Sequence, residues 1–98
     1  MNTVLMREDA FGATVAGRPY RWLQYIVIAA DVVTIIDMTP AVAGWNFGAV
    51  TLQGADCWPG MTPEAIRAYI ERNWPNTTTP NEQAAESVLA WLSKARAA

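Results

Sequence analysis

A chain of 98 residues with 52% apolar and only 16% charged side chains is expected to form one domain, residues 1–98, with a modest core of its own; disorder is excluded, because it needs low hydrophobicity and high net charge. Nine acids and seven bases leave a net charge of −2 with no basic run, so direct nucleic-acid binding has no electrostatic footing. There is no histidine and one cysteine, Cys57, which excludes an internal disulfide, a Cys/His zinc site from this chain alone and a Ser-His-Asp or Cys-His nucleophile.

The first element predicted is a short strand at 3–7. Residues 8–12 carry turn chemistry, and 13–16 return antiparallel. Gly17, Arg18 and Pro19 then break the chain.

The segment 20–38, "YRWLQYIVIAADVVTIIDM", decides the class of protein. Twelve of the fifteen residues from Trp22 to Ile36 are apolar. As a membrane span it would carry Asp31 near its centre, at about 2.5–3.5 kcal/mol, while each Ile or Val returns only about 0.3–0.6 kcal/mol. Eight of the fifteen residues are β-branched, which suits pleated, half-buried surfaces and stiffens a helix. The expectation is two buried strands, about 20–29 and 32–37, with a break at 29–31.

Thr39 and Pro40 end that run, and 41–44 is a small-residue connection. Residues 45–53 alternate in part and read as a strand with Gly48 at a bulge or close backbone contact. Residues 54–60 form a loop. Thr62 before Pro63 is an N-cap followed by proline in the first helical turn. The helix "PEAIRAYIERN" is predicted to bury Ile66, Tyr69 and Ile70 and to pair Arg67 with Glu71 across one turn. Trp74 and Pro75 stop it. Thr79 and Glu82 are spaced as a capping box for a second helix, whose stripe is Ala85, Val88, Leu89 and Leu92, widened by Trp91. Strands first and helices last predict an α+β fold: an antiparallel sheet of about four to five strands, packed on one face by two C-terminal helices.

No catalytic, cofactor-binding or metal-ligating residue is assigned. There is no GxGxxG and no P-loop, and Asn76-Thr77-Thr78 matches an N-glycosylation pattern common by chance. Cys57 reads as a small apolar filler. Five tryptophans divide into two groups. Trp22 and Trp91 hold periodic apolar positions. Trp45, Trp58 and Trp74 lie in or beside predicted loops, and two of them precede proline. Trp45, Trp58, Pro59 and Trp74 are therefore the candidate partner-binding residues. Asp31 is the other oddity: a strand-turn carboxylate, or a buried acid or base partnered by Asp37 or Arg21.

The expected function is a small cytoplasmic, non-enzymatic protein-interaction domain, of the kind found among inhibitor and immunity proteins of phages and mobile elements. It would occlude an unidentified protein partner, self-associate as a homodimer and use no cofactor. The alternatives are a small carboxylate-based enzyme or ligand-binding domain, and a protein anchored in a membrane through 20–38.

Overall fold

The computed structural model describes the backbone of residues 3–15, 18–30, 32–41 and 44–97, with side chains at 3–8, 23–30, 32–39, 45–54 and 56–95. In chain order the elements are β1 (Thr3–Val15), β2 (Arg18–Ile28), β3 (Val32–Ala41), β4 (Gly44–Gly54), a single 3-10 turn at Ala55–Cys57, α1 (Pro63–Asn73), β5 (Thr77–Thr78) and α2 (Glu82–Ala97). The strands form one sheet in the order β4-β3-β2-β1-β5, and every pairing is antiparallel. The molecule is α+β, a five-stranded antiparallel sheet followed by two helices.

The segment 20–38 lies in strands β2 and β3. Its apolar residues pair in register from Leu23 opposite Met38 to Ile28 opposite Val33. The helical membrane anchor through 20–38 is thereby corrected. Among the described residues, no helix is long and apolar enough to cross a membrane. At the break between the strands, the Ala29 amide donates to the Val32 carbonyl at 3.0 Å. Asp31 lies outside the described residues.

The N-terminal turn expected at 8–12 is not a turn. β1 continues through it, with Glu8 opposite Leu23 and Phe11 opposite Tyr20. Turn-forming residues stay extended when a partner strand satisfies their backbone groups. The β1–β2 register runs on to Val15 opposite Arg18, whereas among the described residues β2 and β3 pair only over Leu23–Ile28 and Val33–Met38. The first hairpin thus extends past β3 as a two-stranded ribbon.

The two helices cover opposite faces of the sheet, not one. Val4, Leu23, Val27, Ile36 and Met38 point to one side and pack against Val88 and Leu92 of α2. Leu5, Ile26, Ile28 and Val33 point to the other and pack against Ile66 and Ile70 of α1. The reason is the composition of β2 and β3. Side chains alternate between faces along a strand, and both faces of these two strands are apolar. One helix layer would leave the second face wet. Burying a side chain such as Ile28 or Ile36, each 0% exposed, contributes about 1.5–3 kcal/mol, so each face recruits its own helix.

Gly48 sits at a bulge. The β3–β4 register shifts between Ile36 and Met38, and a Cβ on Gly48 would lie 2.5 Å from the Asp37 carbonyl oxygen and 2.8 Å from Thr39 Oγ1. The extra residue changes which side chains share a face. Simple alternation groups Phe47 with Thr51 and Gln53. Instead Phe47 lies opposite Met38, and Val50 opposite Ile36, all on the α2 side. There Phe47 stacks on Trp91 with ring centroids 4.4 Å apart and planes at 7°.

α1 has the predicted bounds. Thr62 caps it, accepting from the Ala65 amide at 3.2 Å, and Arg67 pairs with Glu71 at 2.6 Å. Tyr69 departs from expectation: it is 38% exposed, whereas Ile66 and Ile70 are buried. The cap of α2 is also corrected. Asn81, not Thr79, accepts from the Ala84 amide, at 2.8 Å. The Thr79 hydroxyl instead accepts from Arg67 Nη2 at 3.4 Å, because the helix begins at Glu82, three residues beyond it.

Candidate functional site

Three polar side chains cross the α1 face of the sheet in one row. Arg7 stands directly opposite Gln24, and Gln24 directly opposite Asp37. Directly opposed side chains start about 4.5–5.5 Å apart at Cβ, so the row closes by hydrogen bonds. Arg7 Nη2 donates to Gln24 Oε1, and Gln24 Nε2 donates to Asp37 Oδ1. Arg7 and Gln24 are buried, and Asp37 is half-buried. Burial lowers the Arg7 pKa from its ordinary value, and the negative charge of Asp37 acts in the opposite direction. A guanidinium so placed remains a cation near neutrality. The glutamine links cation and carboxylate through a neutral bridge.

The chain after α1 brings Trp74 over this row. The Trp74 amide donates to the Ile70 carbonyl at 2.9 Å, ending the helix, and the Thr77 amide donates back to the Trp74 carbonyl at 2.9 Å. That turn seats β5 on β1, with Thr77 opposite Arg7. Asn76 fastens it further, its Nδ2 donating to the Glu8 carbonyl at 2.7 Å. As a result the Arg7 guanidinium lies 4.4 Å from the centroid of the Trp74 ring. Tyr69 sets its ring edge-to-face against both Trp74, at 6.5 Å, and Trp58, at 5.6 Å. The Arg72 guanidinium is 5.9 Å from the Tyr69 centroid.

Trp58 lies deeper. It is half-buried, packs against the Ile66 and Ile70 core and donates its indole N–H to Gln53 Oε1 at 3.0 Å. Between it, Trp74, Arg7 and Ile70 is a cavity of about 70 Å³. Small-molecule pockets run to roughly 300–1,000 Å³, so this space suits a water or the tip of one apolar side chain.

The candidate residues named from sequence do not form one patch. Trp58 and Trp74 come together on the α1 side, joined through Tyr69. Pro59 is exposed beside Trp58. Trp45 packs on the opposite side, against the core under α2. Asp37 turns toward Gln24. Cys57, expected as a buried filler, is exposed, because its short 3-10 turn sends Trp58 inward in its place. No group of three or more metal-ligating residues gathers among the described residues.

The sequence did not reveal Arg7, Gln24 and Asp37 as a unit. They are separated by 17 and 13 positions. The available signal was a polar residue beside apolar runs in each strand, with Arg7 after 4–6, Gln24 within 22–28 and Asp37 after Ile35 and Ile36, but the pairing needs the register. No known protein family, curated protein or solved structure matches this chain.

Proposed function

We propose that this chain is a non-enzymatic, cytoplasmic protein-interaction domain, of the inhibitor or immunity type, that occludes a partner through the aromatic surface at the end of α1. Trp74 is its central anchor and Tyr69 its neighbour. The observation that supports this is the state of Trp74: 40% exposed, yet held by its backbone bond to Ile70, by Arg7 beneath it and by the Tyr69 edge. An exposed ring already fixed in place loses little entropy on docking, and tryptophan is enriched among residues that dominate binding energy.

The cavity size favours this reading over a small-molecule site. The carboxylate-enzyme alternative drew on Asp31 with Asp37 or Arg21; the Asp31 and Arg21 side chains lie outside the described residues, and Asp37 accepts from Gln24. The test is affinity capture with wild type and Trp74→Ala as baits, followed by titration of the retained protein. Loss of Trp74 is expected to weaken binding by about 2 kcal/mol or more. Equal retention by both baits excludes this surface.

A further inference from the structure

The two edges of the sheet are built differently. On one side β5 is two residues long, Thr77–Thr78, and lies beside the charged pair Arg7 and Glu8 of β1. Short edge strands and edge charges are the usual guards against strand-to-strand pairing. On the other side stands β4, 11 residues long, with no charge and no proline. Among the described residues β4 pairs only with β3. Its one interruption, at Gly48, leaves 49–54 regular. Ala49, Val50, Thr51 and Leu52 are exposed, and Leu52 is 63% exposed.

We propose that β4 pairs antiparallel with β4 of a second copy of this chain, about a two-fold axis at Thr51, joining two five-stranded sheets into one. Charge selects this occupant. Residues 38–55 are eighteen consecutive uncharged positions in a chain of net charge −2. A charged partner strand finds no complement there, and a copy meets no like charge. An antiparallel edge is also self-complementary under a two-fold, the commonest symmetry of soluble oligomers. The register sets Val50 opposite Leu52 of the copy and Leu52 opposite its Val50. All four lie on the α2 side of the sheet, so two exposed pairs become one covered strip. Antiparallel ladders alternate hydrogen-bonded and non-hydrogen-bonded positions, and an axis through Thr51 closes the ladder in either phase. This dimer is independent of the Trp74 surface, which other elements carry.

The experiment is light-scattering mass measurement on the wild type, Thr51→Lys and Trp74→Ala, with disulfide trapping in a Cys57→Ser background. The wild type is expected at twice 10.7 kDa. Thr51→Lys, an exposed substitution that sets like charges face to face, is expected to run as a folded monomer, and Trp74→Ala to stay dimeric. Thr51→Cys is expected to trap a covalent dimer on mild oxidation, since opposed residues lie within disulfide reach. Ala49→Cys is not, because its mate falls about 13 Å away along the strand. A monomeric wild type at high concentration overturns the proposal. So does a dimer that survives Thr51→Lys but is lost in Trp74→Ala, and so does trapping at 49 in place of 51.

Discussion

The Arg7 guanidinium lies 4.4 Å from the centroid of the Trp74 ring, at the head of a row that Gln24 and Asp37 complete. Face-on contact of a cation with an aromatic ring contributes about 0.5–1 kcal/mol at exposed sites. The larger role of Arg7 is to satisfy its polar neighbours on an otherwise apolar face. Arg7→Met keeps much of the volume and removes the donor. It is expected to cost about 1.5–3 kcal/mol, the range for a hydrogen bond to a charged group, read as a lower urea midpoint at constant slope. A loss under about 0.5 kcal/mol would mean that the row contributes little to stability.

Burial lowers the Arg7 pKa, which fixes the sign of its pH dependence. A base whose pKa falls on folding opposes folding while it is charged, and that cost is relieved only as pH rises through its folded value. For a guanidinium this lies far into the alkaline range. The stability difference between wild type and Arg7→Met is therefore expected to be flat between about pH 6 and pH 9. Denaturation series at several pH values check this, and a slope would point to a different titrating group.

The α2 cap separates two nearby residues. Asn81→Ala removes the acceptor of the Ala84 amide and is expected to cost about 1 kcal/mol, a fall of roughly 4–8 °C in Tm for a chain of this size. Thr79→Ala removes only a long contact from an exposed arginine and is expected to stay within about 0.5 kcal/mol. Thermal melts of both variants give the order. The reverse order would place the helix start two residues earlier.

Gly48→Ala forces a Cβ against the Asp37 carbonyl oxygen, a backbone atom that cannot rotate aside. The expected cost is about 1–3 kcal/mol. If the strand relieves the clash by losing the bulge, Phe47 changes face and leaves Trp91. The aromatic CD bands are then expected to weaken along with stability. A variant as stable as wild type, with unchanged aromatic signal, would show that the close approach is easily relaxed.

Trp58 and Trp74 are expected to behave differently when truncated. Trp58 packs on the α1 core and bonds Gln53, so Trp58→Ala is expected to cost about 3 kcal/mol, the lower end for large aromatic truncations. Trp74 is more exposed, and Trp74→Ala is expected to cost about 1 kcal/mol. Chemical denaturation of the two variants measures the gap. Equal costs would undo the division into a packed and a presented ring.

The sequence by itself determined whatever depends on neighbours along the chain. The Thr62 cap before Pro63, the spacing of Ile66 and Ile70, and the Arg67–Glu71 pair act within one or two helical turns, and α1 took its predicted bounds. The β-branched run at 26–36 fixed two strands, since its preference is a property of each residue's own χ1 freedom. Gly48 was legible as a bulge or close contact for the same local reason. Only the tertiary structure decided what depends on register and layering. Which face Phe47 occupies follows from one extra residue in β4 against β3. The row of Arg7, Gln24 and Asp37 exists because three strands align those positions. Both faces of β2 and β3 were visibly apolar, yet the placement of α1 and α2 on opposite sides came from covering each face, a cost that is paid only once the sheet has formed. Asn81 displaced Thr79 as a cap because α2 begins at Glu82, which puts the Asn81 side chain, and not that of Thr79, beside the free Ala84 amide.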